Sequence, residues 1–167
     1  DALTMGPSRG EDTVTPHTRP PADDDGDHML VRTAECLEGR VEMELICEPL
    51  FDYGGVPAEW SLADEKERHI ADAKGGDQKI RLRTDMALGI EGNWARARHT
   101  LKEGDRVFCS LSWAEGLASP EDGDDARGRI ETTTRFWRDW LSTAWLPDHR
   151  WREPIQRSAL TIKGLTY

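Results

Sequence analysis

Long apolar runs are missing from this sequence. No stretch approaches the roughly 18 consecutive apolar residues that a membrane-spanning helix needs. Positive charge is also in short supply: 22 Lys and Arg stand against 32 Asp and Glu, a formal net charge of −10. Phosphate backbones are bound by cationic side chains that release counterions, so this balance argues against nucleic acid as a partner. The basic residues do not gather on one apolar-backed helix, which argues against an anionic membrane surface. Cysteine is sparse and odd in number. Cys36, Cys47 and Cys109 lie far apart in apolar, strand-like surroundings, which reads as buried free thiols in a reducing compartment. A Cys36–Cys47 bridge across a hairpin is the alternative. The opening residues lack the basic-then-apolar pattern of a secretory signal. The expectation is an acidic, cytoplasmic protein with neither a nucleic-acid nor a membrane partner.

Motifs for metals and cofactors are equally scarce. His17, His28, His69, His99 and His149 form no i, i+4 pair and have no cysteine at ligand spacing, so a zinc site is not expected. The run Asp23-Asp24-Asp25-Gly26-Asp27-His28 fails the calcium-loop pattern. That loop needs Gly sixth and Glu twelfth, where His28 and Ala34 stand. No P-loop, no Gly-x-Ser-x-Gly elbow and no dinucleotide fingerprint is present, and no cofactor is identifiable.

What the chain does hold is a change of period. Residues 1–29 are rich in turn formers, among them Gly6-Pro7 and Pro20-Pro21, and read as a loop or long connection. Leu30–Cys36 reads as a strand, Glu38-Gly39-Arg40 as a tight turn, and Val41–Glu48 as its hairpin partner. In that partner Val41, Met43, Leu45 and Cys47 alternate with Glu42, Glu44 and Glu48. Lys79–Thr84, Met86–Ile90, Ala95–Thr100 and Arg106–Trp113 are further strands, the last two joined at Lys102–Asp105. Short strands at this spacing predict an antiparallel β-sandwich over 30–114. An acidic, Gly-containing stretch, 115–128, reads as a linker. Beyond it, Ile130, Thr134, Trp137, Leu141 and Ala144 set a helical period over 129–146. A second helix in 147–167 is capped by Asp148 and carries Trp151, Ile155, Ala159, Ile162 and Leu165 on its apolar stripe. The fold class is mainly β with C-terminal helices. Two such helices lack packing surface of their own, so more helices are expected to follow.

Tryptophan is the one abundant aromatic. Trp137, Trp140, Trp145 and Trp151 fall close together, and indole faces stack on sugar rings. Helical spacing places Trp137 and Trp151 in a core instead. Glu131, Asp139 and Glu153 fall on or beside polar helix faces, where pairing with Arg135, Arg138 or Arg157 is expected. With 32 acidic residues, spacing alone nominates no catalytic pair.

Three segments in order carry a family resemblance: Phe51-Asp52-Tyr53-Gly54, Thr134-Arg135-Phe136-Trp137-Arg138-Asp139-Trp140-Leu141, and Trp151-Arg152 with the run Ile155 to Tyr167. Over most of Leu30 to Tyr167 the chain resembles the trehalase-like branch of glycoside hydrolase family fifteen, the bacterial glucoamylase and trehalase family. The resemblance implies an incomplete antiparallel β-sandwich, a linker helix, and the first helix of an (α/α)6 catalytic barrel. It implies a parent enzyme that inverts configuration while releasing glucose from trehalose or related α-glucosides. It also implies a chain truncated at both ends, inactive alone, whose partner is the missing barrel. The general acid and general base are then expected beyond Tyr167, with no catalytic residue here. Phe51, Asp52, Tyr53, Trp137, Arg138, Trp140, Trp151 and Arg152 become domain-interface candidates, with Arg138 and Arg152 pairing with carboxylates. The alternative is a non-catalytic carbohydrate-binding or structural β-sandwich protein.

Overall fold

The computed structural model describes residues 2–5, 26–63, 68–113 and 119–165. Gly6-Pro7, Pro20-Pro21, Asp23-Asp24-Asp25 and the start of the 115–128 stretch lie outside the described residues. The strands in chain order are β1 (Ala2–Met5), β2 (Gly26–Glu35), β3 (Arg40–Cys47), β4 (Leu50–Phe51), β5 (Val56–Pro57) and β6 (Glu59–Leu62). They continue as β7 (Ile70–Gly75), β8 (Gln78–Thr84), β9 (Gly89–Glu91), β10 (Trp94–Lys102) and β11 (Arg106–Ser112). Two helices follow, α1 (Gly123–Ser142) and α2 (Arg152–Leu165).

One sheet has six strands in the order β1-β2-β11-β8-β7-β6, a second has three in the order β3-β10-β9, and β4 with β5 forms a small ribbon. All the ladders are antiparallel. Strand β1 falls where the turn formers predict loop. Its four residues are too short to show a period, yet Ala2 and Leu3 pair with Val31 and Leu30.

The hairpin expected between Leu30–Cys36 and Val41–Glu48 does not form. Strand β2 pairs with β11 in the large sheet, and β3 pairs with β10 in the small one, from Lys102↔Arg40 to Ala95↔Cys47. The two crossings stack on each other. Cys36 N–H donates to Asp105 O at 3.0 Å, Gly104 N–H to Cys36 O at 2.8 Å, and Glu103 N–H to Gly39 O at 2.9 Å. A flat hairpin would keep both strands in one layer. Folding one long ribbon over at these corners sets its apolar faces opposite each other and buries both. Period two is compatible with either partner, so the pattern alone leaves the pairing open.

Between the sheets Ala71, Leu82, Met86, Leu88, Ala95, Ala97, Leu101 and Val107 are buried, with Met43, Leu45 and Cys47 packed against them. Of the expected strand Met86–Ile90 only Gly89 and Ile90 pair, as part of β9. Residues 85–88 bend instead, because Met86 and Leu88 plug the core from outside the ladder. Strands β6 and β7 carry no strong apolar signal. The inward residues of β7 are the small Ala71, Ala73 and Gly75, and Asp72 is buried on its other face.

The thiols are unpaired: Cys36 is buried, and Cys47 and Cys109 are half-buried. Cys36 sits at the corner and Cys47 at the far end of β3. At about 3.3 Å per residue that separation far exceeds the roughly 4.4–6.8 Å between bridged Cα atoms, so the alternative Cys36–Cys47 bridge is ruled out. Burial pushes the Cys47 thiol up to about 11, with Cys109 adding to the rise.

Helix α1 begins before residue 129, inside the acidic stretch. Asp122 caps it, accepting from Asp124 N–H and Asp125 N–H at 2.9 Å each. Its first half lies on the outer face of the large sheet, where Ala126 and Ile130 pack on Met29, Val31 and Phe108. Arg83 Nη2 ties β8 to the turn before the helix by donating to Glu121 O at 2.7 Å. Helix α2 starts at Arg152, and the contacts at its entry are made by His149 and not by the expected cap Asp148. Trp151 N–H donates to His149 Nδ1 at 3.3 Å, and Arg152 N–H to His149 O at 2.9 Å. Pro154 falls in the first turn, where its missing N–H costs nothing. No residue described in α2 is buried, and Ile155, Ile162 and Leu165 face solvent. No helix among the described residues is long and apolar enough to cross a membrane.

Candidate functional site

Strand β8 leaves the large sheet at Thr84, the last residue paired with β11. Past that point the backbone of Phe108 has no strand partner on that side, and side chains replace one. Asp85 Oδ1 accepts from Phe108 N–H at 3.1 Å, while Thr84 Oγ1 donates to Phe108 O at 2.6 Å. The space that β8 vacates is a cavity of about 230 Å³, closed on one side by the first turn of α1. Its polar wall is Thr33, Glu35, Asp85, Arg106, Asp124 and Arg127. Arg106 Nη2 donates to Glu35 at 2.9 Å, joining β11 to β2, and Arg127 Nη2 donates to Asp124 at 2.9 Å. The Arg106 guanidinium holds the Glu35 carboxyl below the usual carboxylate range. Asp85 moves the other way. Partial burial of its carboxyl group pushes its pKa up, against the lowering effect of Phe108 N–H.

A second charged cluster lies on the outer face of β7 and β8. Asp72 accepts from Arg81 Nε at 2.7 Å and Arg81 Nη2 at 2.9 Å, and pairs with Lys79 Nζ at 3.0 Å. The two-pronged contact with Arg81, helped by Lys79, holds the Asp72 carboxyl low. On the small sheet Glu44 bridges Arg96 and Arg98, and Arg96 reaches Glu91 at 3.2 Å. These pairs engage the carboxylates of Asp72, Glu44 and Glu91 with basic side chains.

The interface candidates separate into two groups on opposite faces of the large sheet. Phe51 is buried against Ala73, Ile80 and Leu111, on the face toward the small sheet. It anchors a hairpin tip whose residues Asp52 (φ 48), Tyr53 (φ 52) and Gly54 (φ 94) are all left-handed. Two non-glycine residues in that region cost on the order of 1–3 kcal/mol each. Tyr53 ends up fully exposed. The helical candidates lie on the other side. Trp137 is half-buried, edge-on to Phe136 at 5.2 Å and to Trp140 at 6.2 Å. Arg138 and Arg152 are exposed. Trp151, expected in a core by spacing, is exposed as well, because α2 packs on little besides α1. The Arg150 guanidinium lies 4.8 Å from its ring centroid. Glu131 meets Arg127, at 4.0 Å, and not one of the arginines downstream. The cavity residues escape sequence reasoning altogether. They come from β2, the bend after β8, β11 and α1, and no local spacing links them.

Comparison with known proteins bears on the whole chain. All of it aligns, over 172 positions at 43% identity, with the trehalase of Mycolicibacterium smegmatis, covering 26% of that protein. The trehalase of Mycobacterium tuberculosis matches at the same identity, with 25% of its length covered. No family model matches, and no solved structure matches. The chain is therefore similar over its full length to two mycobacterial trehalases, and spans about a quarter of the length of each.

Proposed function

We propose that the chain is the N-terminal portion of an inverting glycoside hydrolase of family fifteen, cytoplasmic, which releases glucose from trehalose or a related α-glucoside. In this reading residues 30–114 are a partial sandwich, α1 is a linker helix, and 147–167 supply the first helix of an (α/α)6 barrel. The segment is the scaffold of that barrel and is inactive alone. The observation that carries the reading is 43% identity to two trehalases over the entire chain. The solvent-facing apolar stripe of α2 supports it, since burial of such a stripe is what stabilises a helix of this length. The acid and base then belong to the rest of the protein. An inverting pair stands roughly 6.5–9.5 Å apart around the scissile bond, whereas Glu35, Asp124 and Asp72 are each held by arginines.

The contact with the barrel forms at two places. Trp137, Arg138, Trp140, Trp151 and Arg152 supply one, and the Asp52-Tyr53 tip, braced by Phe51, supplies the other. Thermal melting of this chain and of a longer product containing the barrel tests this. Tyr53→Ala and Trp151→Ala should leave the short chain unchanged and destabilise the long one by about 1–3 kcal/mol, the range of aromatic interface anchors. Equal melting of wild type and both variants in the long protein would remove the interface role.

A further inference from the structure

We infer that the free edge of β3 pairs with a strand of this polypeptide lying outside the 167 residues, and that this strand closes the open side of the core. The inference rests on the chain being a portion of a longer protein, and not on the hydrolase activity. Among the described residues the other sheet edges are short: β1 and β6 have four residues each, β9 has three, and β4 and β5 have two. Strand β3 has eight, in unbroken register with β10 on one side and with no described strand on the other. Such an edge presents a row of unpaired N–H and C=O groups, and this one has neither a proline nor a bulge to blunt it.

The core is open on the same side. On the opposite flank β6 meets β9, and Trp60 Nε1 donates across to Asn93 O at 2.9 Å. Inward side chains of β10, namely Ala95, Ala97 and Leu101, are buried, whereas Met43, Leu45 and Cys47 on β3 are only half-buried and Val41 is 43% exposed. On β2, Met29 and Val31 pack under α1, so Leu30 and Arg32 point to the inner face, where Leu30 is half-buried and Arg32 exposed. A strand added to β3 completes its ladder and covers this flank. By this fit its inner side is apolar, beside Val41, Met43 and Leu45, and its outer side is basic, beside Glu42 and Glu44.

A second copy of the chain fits the edge poorly. Two-fold antiparallel pairing of β3 with itself, centred on residues 42 to 44, sets Glu42 against Glu42, Glu42 against Glu44, or Glu44 against Glu44. Like charges directly opposite are destabilising, and a net charge of −10 adds to the repulsion. More of the same polypeptide is at hand, since the chain spans about a quarter of each trehalase it matches.

Hydrogen exchange of the segment Arg40–Cys47, read by mass spectrometry in the 167-residue chain and in the longer gene product, tests this. In the short chain the amides of β3 that point away from β10, about half of the segment in an antiparallel ladder, should exchange freely. In the long product they should slow by at least about tenfold. Val41→Asp, at an exposed position of the short chain, should restore fast exchange in the long product. Slow exchange in the short chain overturns the inference, whether constant or rising with concentration as self-pairing would make it. So does equally fast exchange in both proteins, or slow exchange in the long product that Val41→Asp leaves unchanged. Glucose release by the long product is scored separately, so a failed pairing is distinguishable from a failed hydrolase reading.

Discussion

Gly75 shows how one missing methyl group shapes the molecule. A Cβ there would lie 2.0 Å from Cδ2 of Phe51, so the small ribbon β4–β5 packs on β7 only because this position is bare. Gly75→Ala must displace the Phe51 ring and should cost about 1–3 kcal/mol, read as a lower urea midpoint with an unchanged slope. Asp72 makes a prediction about pH. Its folded-state pKa is lowered, first by Arg81 and then by Lys79, so its stabilising effect is complete above the ordinary Asp value of about 3.9. That effect is lost as pH falls through the lower folded-state value. Wild type should therefore melt above Asp72→Asn at neutral pH, with the gap closing in acid. A gap that persists in acid would contradict the ionic account. Neither residue was legible beforehand: Gly75 lies in a stretch with no strand signal, and Asp72 is one acid among 32.

At the level of elements, periodicity located the helices and misplaced their starts. The stripe from Ile130 to Leu141 is plain, but the first turn, Gly123 to Gly128, is polar and holds two glycines. What starts the helix there is the Asp122 cap, with Asp124 and Asp125 in the first turn completing the dipole's positive end. Asp122→Ala should cost about 1 kcal/mol and loosen the wall around Asp124, seen as faster hydrogen exchange of the Asp124 and Asp125 amides. Unchanged exchange would mean that the cap is not what holds this turn. Strands were legible where the period-two alternation is strong, as in β3. Their partners were not. The bent ribbon satisfies the same alternation as a flat hairpin, and the choice between them is made by the core formed between the two sheets.

For the whole molecule, the layered β architecture and the two terminal helices follow from pattern, while the cavity comes from segments far apart in sequence. Three short segments signalled the kinship, and the 43% identity to two trehalases extends it across all of the chain. The described residues of those segments occupy a hairpin tip, the second half of α1 and the exposed helix α2. In the proposed reading catalysis lies outside this chain, which has a supporting role. Glucose release from trehalose, assayed side by side for the 167-residue chain and for the longer gene product that contains it, tests that claim most directly. The account predicts release by the long product and none above buffer by the chain alone. Release by the isolated chain, or none by the long product, would contradict it.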